Sequence, residues 1–162
     1  IEGIGALNFL TIDDLEMAET GVLLDPTSVI ALPEEGGELV FPDFEKSGEG
    51  PFVRKIRKSN KKWIILTNET NEPRYVLNAH HFLRDLLTPE EPDPLREYCH
   101  EPMVVRNHER ELGSVMNQLI RENPKQSTIH EDILLLWDDE PRIVTGSDIL
   151  RRLLRGTKLF GL

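Results

Sequence analysis

The 162-residue chain is 38% hydrophobic, enough for one compact core or for two small subdomains sharing one, which excludes a disordered chain. Its 19 basic and 29 acidic residues give a formal charge of -10, which argues against nucleic acid and anionic lipid as partners. The single cysteine, Cys99, closes no internal disulfide, no run of about eighteen apolar residues exists to insert into a bilayer, and no secretory signal is in view, so a cytoplasmic setting is expected.

The chain opens "IEGIGALNFL", with neither an initiator methionine nor the order of a signal peptide, as expected of a segment of a larger protein. Residues 1–36 read as an N-terminal extension. A first unit is expected over 37–87: a strand in "GELVFPDF", a short helix in "PFVRKIRKSN" with Phe52, Val53 and Ile56 facing inward, a strand at Ile64–Leu66, the turn "TNETNEPR", a second short strand, and the helix "HFLRDLL". In that last helix Phe82, Leu83, Leu86 and Leu87 share one face. The prolines and carboxylates of "TPEEPDPLREYC" mark 88–99 as a linker.

A second unit is expected over 100–156, followed by a tail at 157–162. Met103, Val104 and Val105 form its first strand, and Leu112, Val115, Met116, Leu119 and Ile120 recur at helical spacing until Pro124. A strand at Ile133–Leu135, matching Ile64–Leu66, then leads through the turn "WDDEPR" to a short strand ending at Val144. Ile149, Leu150, Leu153 and Leu154 form one face of the closing helix. Each unit therefore reads strand, helix, strand, strand, helix. Glu-Pro-Arg stands in both turns, at 72–74 and 140–142, and the first copy carries one extra residue before its closing helix.

Only the second copy contains Thr145, Gly146, Ser147 and Asp148; the first has Asn78, Ala79, His80 and His81, with His81 aligning on Asp148 if the extra residue sits in the turn. A helix start offers unpaired N–H groups to a phosphate, and a carboxylate beside it accepts two hydrogen bonds from a cis-diol. Thr, Ser and Asp are equally favoured helix caps, so the same four residues also describe a cap with no ligand.

A tandem pair of such units, the second ending "IVTGSDILRRLL", resembles the CBS domain pair, or Bateman module, over roughly residues 38–155. The resemblance implies an α+β fold in which two small sheets each pack against two helices. It also implies an adenine nucleotide (AMP, ADP or ATP) bound in a cleft between the units, with Asp148 on the ribose hydroxyls and Thr145 near the phosphate or ribose. Gly146, Ser147 and Arg142 complete the expected site. A neutral imidazole cannot accept two hydroxyls as a carboxylate does, so His81 points to one competent site and an altered first copy. The segment "GIGALNFLTIDDL" ahead of such a pair looks like the cytosolic part of CNNM and CorB/CorC-type membrane proteins, which are associated with divalent-cation transport. A regulatory module follows from that likeness, forming a homodimer and acting on a transmembrane domain of the same parent protein; the alternative is a ligand-free dimerisation module.

Other clusters carry less chemistry. The five histidines include adjacent His80 and His81, with no carboxylate or thiol at ligand spacing, so no metal is expected. Arg54, Lys55, Arg57, Lys58, Lys61 and Lys62 are either the solvated face of an amphipathic helix or an anion-attracting cluster. Arg74 and Arg142 either reach the cleft or pair with Glu72 and Glu140. Cys99 precedes His100, but sequence neighbours rarely meet in Cys–His geometry, and with no phosphate-cradling loop or nucleophile elbow no catalytic residue and no enzymatic activity is expected.

Overall fold

A computed structural model of the chain describes residues 20–106, 113–115 and 133–159. The chain divides into two compact units, one built from 24–102 and the other from 1–23 with 103–162.

In the unit of 24–102 a four-stranded sheet runs in the order β2 (Val29–Ala31), β5 (Trp63–Thr67), β6 (Pro73–Asn78), β7 (Cys99–His100). β5 and β6 form the expected hairpin. Its turn is shaped by Asn68, whose Oδ1 accepts from the Thr70 N–H, the Thr70 hydroxyl and the Glu72 N–H, and by Asn71 at φ 64. The helices are α1 (Pro51–Ser59) and α2 (Ala79–Asp85). Pro51 opens α1 at a position where its missing N–H costs nothing. Phe52, Val53 and Ile56 of α1 and Phe82 of α2 pack on Ile64, Leu66 and Leu77 to make the core.

The first strand of this sheet is not the one expected in "GELVFPDF". Gly36 and Gly37, at φ 60 and 88, instead form a tight turn joining β3 (Glu34–Glu35) to β4 (Glu38–Leu39) in a separate hairpin. The strand parallel to β5 is β2, with Ile30 beside Leu66. Nor is 88–99 merely a connection. It contains a 3-10 turn, Leu95–Tyr98, whose Leu95 and Tyr98 are buried in the core, and its last residue enters β7. Leu87, expected to face inward, is 80% exposed because α2 ends at Asp85.

The other unit repeats this topology. Its sheet runs β1 (Val22–Leu23), β10 (Arg142–Thr145), β9 (Ile133–Leu136), β8 (Met103–Val105), with β8 parallel to β9 and the remaining pairs antiparallel. α3 (Gly146–Leu159) follows β10, as α2 follows β6. Strand β1, which precedes the first unit in sequence, completes the second sheet, while β7, which precedes β8, completes the first. Residues 113–115 are helical, with Val115 buried; the rest of the helix expected up to Pro124 lies outside the described residues, as does most of the extension, 1–19. Ile149 is buried, but Leu150 and Leu154, expected on the same inner face, are 48% and 56% exposed.

The hairpins also correct the match between the two copies. Trp63 pairs with Asn78 and Ile133 with Thr145, so Ile64 corresponds to Leu134, one residue from the sequence match. The extra residue of the first copy is absorbed at the far end of the hairpin, where the β5–β6 register shifts between Leu66 and Thr67.

Candidate functional site

Thr145 ends β10 and Gly146 begins α3, so the motif straddles a strand-to-helix junction. The Thr145 N–H and its hydroxyl both donate to Asp148 Oδ2 at 2.9 Å, and the Asp148 N–H donates to Thr145 Oγ1 at 3.4 Å. This is a reciprocal capping box with aspartate in place of the usual Glu or Gln. Thr145 and Asp148 are half-buried, Gly146 is buried and Ser147 is exposed. Among the described residues Asp148 Oδ1 receives no hydrogen bond, so one carboxylate oxygen holds the cap and the other is not committed to it. Asp148 also sits in the first turn of a 14-residue helix, where a carboxylate complements the dipole.

Four of the five residues singled out in the sequence thus form one contiguous group. Arg142 stands apart: three residues upstream on β10, its guanidinium donates to the Gly21 carbonyl at 3.4 Å, on the β1 side of the sheet. In the Glu-Pro-Arg of the first copy, Arg74 Nε donates to Glu34 Oε2 at 2.8 Å. That bond, assisted by Asn68, holds the Glu34 carboxyl below the usual range against a weaker opposing effect of desolvation.

The corresponding junction in the other unit is built from different chemistry. Asn78 caps α2 by accepting from the His81 N–H at 3.0 Å, so Asn78 and His81 stand three apart at the positions of Thr145 and Asp148. Asn78 is itself a favoured capping residue, but with His81 rather than an acid three residues on it lacks the capping-box pattern. The His81 imidazole turns along its helix, with Nε2 3.4 Å from Asp85 Oδ2 and its ring edge-on to Tyr98, rather than reproducing the reciprocal bond that Asp148 makes. Tyr98 donates to Asp85 at 3.2 Å and accepts from the Asp93 N–H at 3.0 Å, tying 93–98 to α2. Burial pushes the Tyr98 hydroxyl above its ordinary value, the Asp93 N–H opposes this, and the Asp85 charge adds to it.

The remaining reactive groups are structurally engaged. Burial pushes the Cys99 thiol up to about 12, partly offset by Arg96, and its Sγ lies 3.4 Å from the Leu95 carbonyl, an arrangement that suppresses the thiolate a nucleophile needs. His100 alternates to the other side of β7 and meets the Trp63 ring at 5.7 Å. His80 is exposed, and His108 and His130 lie outside the described residues. A groove of about 330 Å³ beside β4 and β6 is framed by Glu38, Arg74, Tyr75 and Glu101. Its polar groups are committed to one another: Tyr75 donates to Glu38 at 3.0 Å, and Arg96 stacks on Tyr75 while pairing with Glu101 at 2.6 Å.

No family model and no curated protein matches the sequence. Among solved structures, the CBS domain of the bacterial CNNM/CorC family Mg2+ transporter in complex with ATP is 14% identical, covers 94% of this chain and 96% of its own, and superposes with a TM-score of 0.53. The same domain in complex with the inhibitor IGN95a is 13% identical, covers 94% of this chain and 84% of its own, and gives a TM-score of 0.54. Without a named ligand it is 15% identical, covers 94% and 83%, and gives 0.52. The fold is that of a CBS-domain pair, α+β with two like-built units.

Proposed function

We propose that this chain is a regulatory module that senses an adenine nucleotide, with Thr145, Gly146, Ser147 and Asp148 as the contact group. The carrying observation is the asymmetry between the strand-to-helix junctions. One presents a half-buried carboxylate with one oxygen outside the cap, an exposed hydroxyl and the start of a 14-residue helix; the other presents an amide and an imidazole turned toward its own helix. Asp148 Oδ1 accepts a ribose hydroxyl, and the N–H groups of the first turn of α3 together with the Ser147 hydroxyl receive phosphate oxygens. The likeness of fold to a transporter CBS domain solved with ATP supports AMP, ADP or ATP as the ligand. Arg142, which spends one of its five N–H donors on the Gly21 carbonyl, is retained as a further contact.

In this reading the two units are a duplicated pair on the cytosolic face of a larger protein. The pair forms a homodimer, performs no catalysis, and biases an attached transmembrane domain by binding nucleotide more tightly in one state than in another. Among the described residues no helix is long and apolar enough to cross a membrane.

Thermal melting and calorimetry with AMP, ADP and ATP, with and without magnesium, test the reading. Binding to the folded state raises stability by about 2.7 kcal/mol at one hundred times Kd. A nucleotide-dependent rise that shrinks in Asp148→Ala, measured against that variant's own ligand-free melting point, is expected. No shift at millimolar nucleotide leaves the ligand-free dimerisation module as the better account, and a shift of equal size in Asp148→Ala removes this carboxylate from the site.

A further inference from the structure

Every exposed side chain of α1 after its opening proline is cationic. Phe52, Val53, Ile56 and Ser59 are buried, while Arg54, Lys55, Arg57 and Lys58 face outward, with exposed Lys61 and Lys62 immediately after the helix. Six of the chain's 19 basic residues therefore fall within positions 54–62, where there is no acidic residue, although the chain as a whole is strongly acidic. Among the described residues none of the six forms an ion pair with a carboxylate. Arg54 donates instead to the Glu49 carbonyl at 2.6 Å, and Lys62 lies over the Trp63 ring.

The helix itself does not call for this pattern. Arg57 and Lys58 in the last turn complement the dipole, but Arg54 and Lys55 lie toward the other end of a nine-residue helix with no acid in its first turn, where the dipole disfavours cations. Arg54 with Arg57, Arg54 with Lys58 and Lys55 with Lys58 are like-charged neighbours at helical spacing and repel one another. An anion laid along the face relieves all of these interactions together.

We infer that the outer face of α1, continued by Lys61 and Lys62, docks an acidic peptide segment of a protein partner. The shape of the charge favours a narrow occupant over an extended anionic surface. The helix face is about 13 Å long, the span of about four extended residues. Carboxylates border it at both ends: Glu45 and Glu49 lie in the loop leading into α1, whose Gly48 sits against the Arg57 guanidinium, and Asp25 flanks the far end. Hydrogen bonds from Thr27, and to a lesser degree the charge of Lys61, hold Asp25 below the usual carboxylate range. A flat bilayer or a duplex would bring these carboxylates and the acidic body of the protein against its own negative charge, whereas a single acidic strand touches only the cations. The face belongs to the unit of 24–102, while Thr145 and Asp148 belong to the other unit, so the two proposals stand or fall separately.

Fluorescein-labelled octaglutamate, titrated with the full chain in nucleotide-free buffer and read by fluorescence anisotropy, provides the test. Saturable binding is expected at 50 mM salt, weakened about tenfold or more at 300 mM as screening shortens the reach of the charges. The triple variant Lys55→Glu, Lys58→Glu, Lys61→Glu should lose at least tenfold in affinity while its circular dichroism and melting point stay close to those of the parent; should it fail to fold, the Lys→Gln triple replaces it with the same expectation. Equal affinity of parent and variant, or no saturable binding at millimolar protein, overturns the proposal. So does variant-sensitive capture by phosphatidylserine vesicles that octaglutamate does not displace.

Discussion

Thr145 and Asp148 serve each other before they serve any ligand. Because Asp148 Oδ2 takes two bonds from Thr145, deleting either side chain removes a cap, and loss of such a cap costs about 0.5–2 kcal/mol. Thr145→Ala and Asp148→Ala are each expected to fall in that range by urea denaturation, and the double variant to cost clearly less than their sum, because both remove one reciprocal interaction. Strict additivity would mean that the two residues act independently. The motif was legible because Thr-x-x-Asp before an apolar helix is a local pattern, read from four residues. Its partner Asn78 is just as local, but without a reciprocal carboxylate it carried no comparable signature.

Glu34 gives a second residue-scale expectation. Its folded-state pKa is depressed, chiefly by the Arg74 hydrogen bond, so its contribution to stability is fully present above the ordinary glutamate value and is lost as pH falls through the lower folded value. A carbon-detected NMR titration should place Glu34 below the ordinary glutamate value, and Arg74→Met should move it back up. The stability difference between parent and Arg74→Met should then narrow as pH drops from about 5 toward 3. A difference that stays constant across that window would show that the pair does not act through the Glu34 charge.

At the scale of elements, the hairpins and the helices that follow them were readable, since strand, turn and helix lie within about twenty-five residues and each announces itself by apolar run, turn residues or helical period. The edge strands were not. β2 is three residues long and joins β5 across the whole of α1, and β1 is two residues long and pairs with Ile143 and Arg142 far along the chain. Nothing in "VL" or "VIA" states a partner, because such strands are selected by the vacant hydrogen-bonding edge they meet rather than by their own propensity. Gly21 makes the join of β1 testable. It takes φ 78, and a Cβ there would run into the Ile143 carbonyl oxygen and Val144. Gly21→Ala is therefore expected to cost more than about 1 kcal/mol, the strain of the backbone conformation plus the clash. Faster amide exchange should appear in β1 and β10 and not in β5 or β6. Unchanged protection of β10 would mean that β1 adds little to that sheet.

For the whole molecule, the route of the chain separates the two units more sharply than their common topology does. The unit of 24–102 is continuous and carries all four strands of its sheet, whereas the other borrows β1 from the start of the chain and resumes only at Met103. A fragment of residues 24–102 holds its complete core cluster, from Ile30 on β2 to Tyr98 beside β7, and needs nothing from outside to close the edge of β6. A fragment of 103–162 lacks Val22 and Leu23 and leaves the edge of β10 unpaired. Each fragment contains one of the chain's two tryptophans, Trp63 or Trp137, so fluorescence reports on each directly. The 24–102 fragment is expected to give a cooperative urea transition and dispersed amide resonances, and 103–162 a broad, non-cooperative one that sharpens when residues 20–23 are joined to its N-terminus through a flexible linker. If 103–162 alone unfolds as cooperatively as 24–102, the exchanged strand is an ornament of that sheet, and the doubling of the fold does not depend on the chain crossing from one unit to the other.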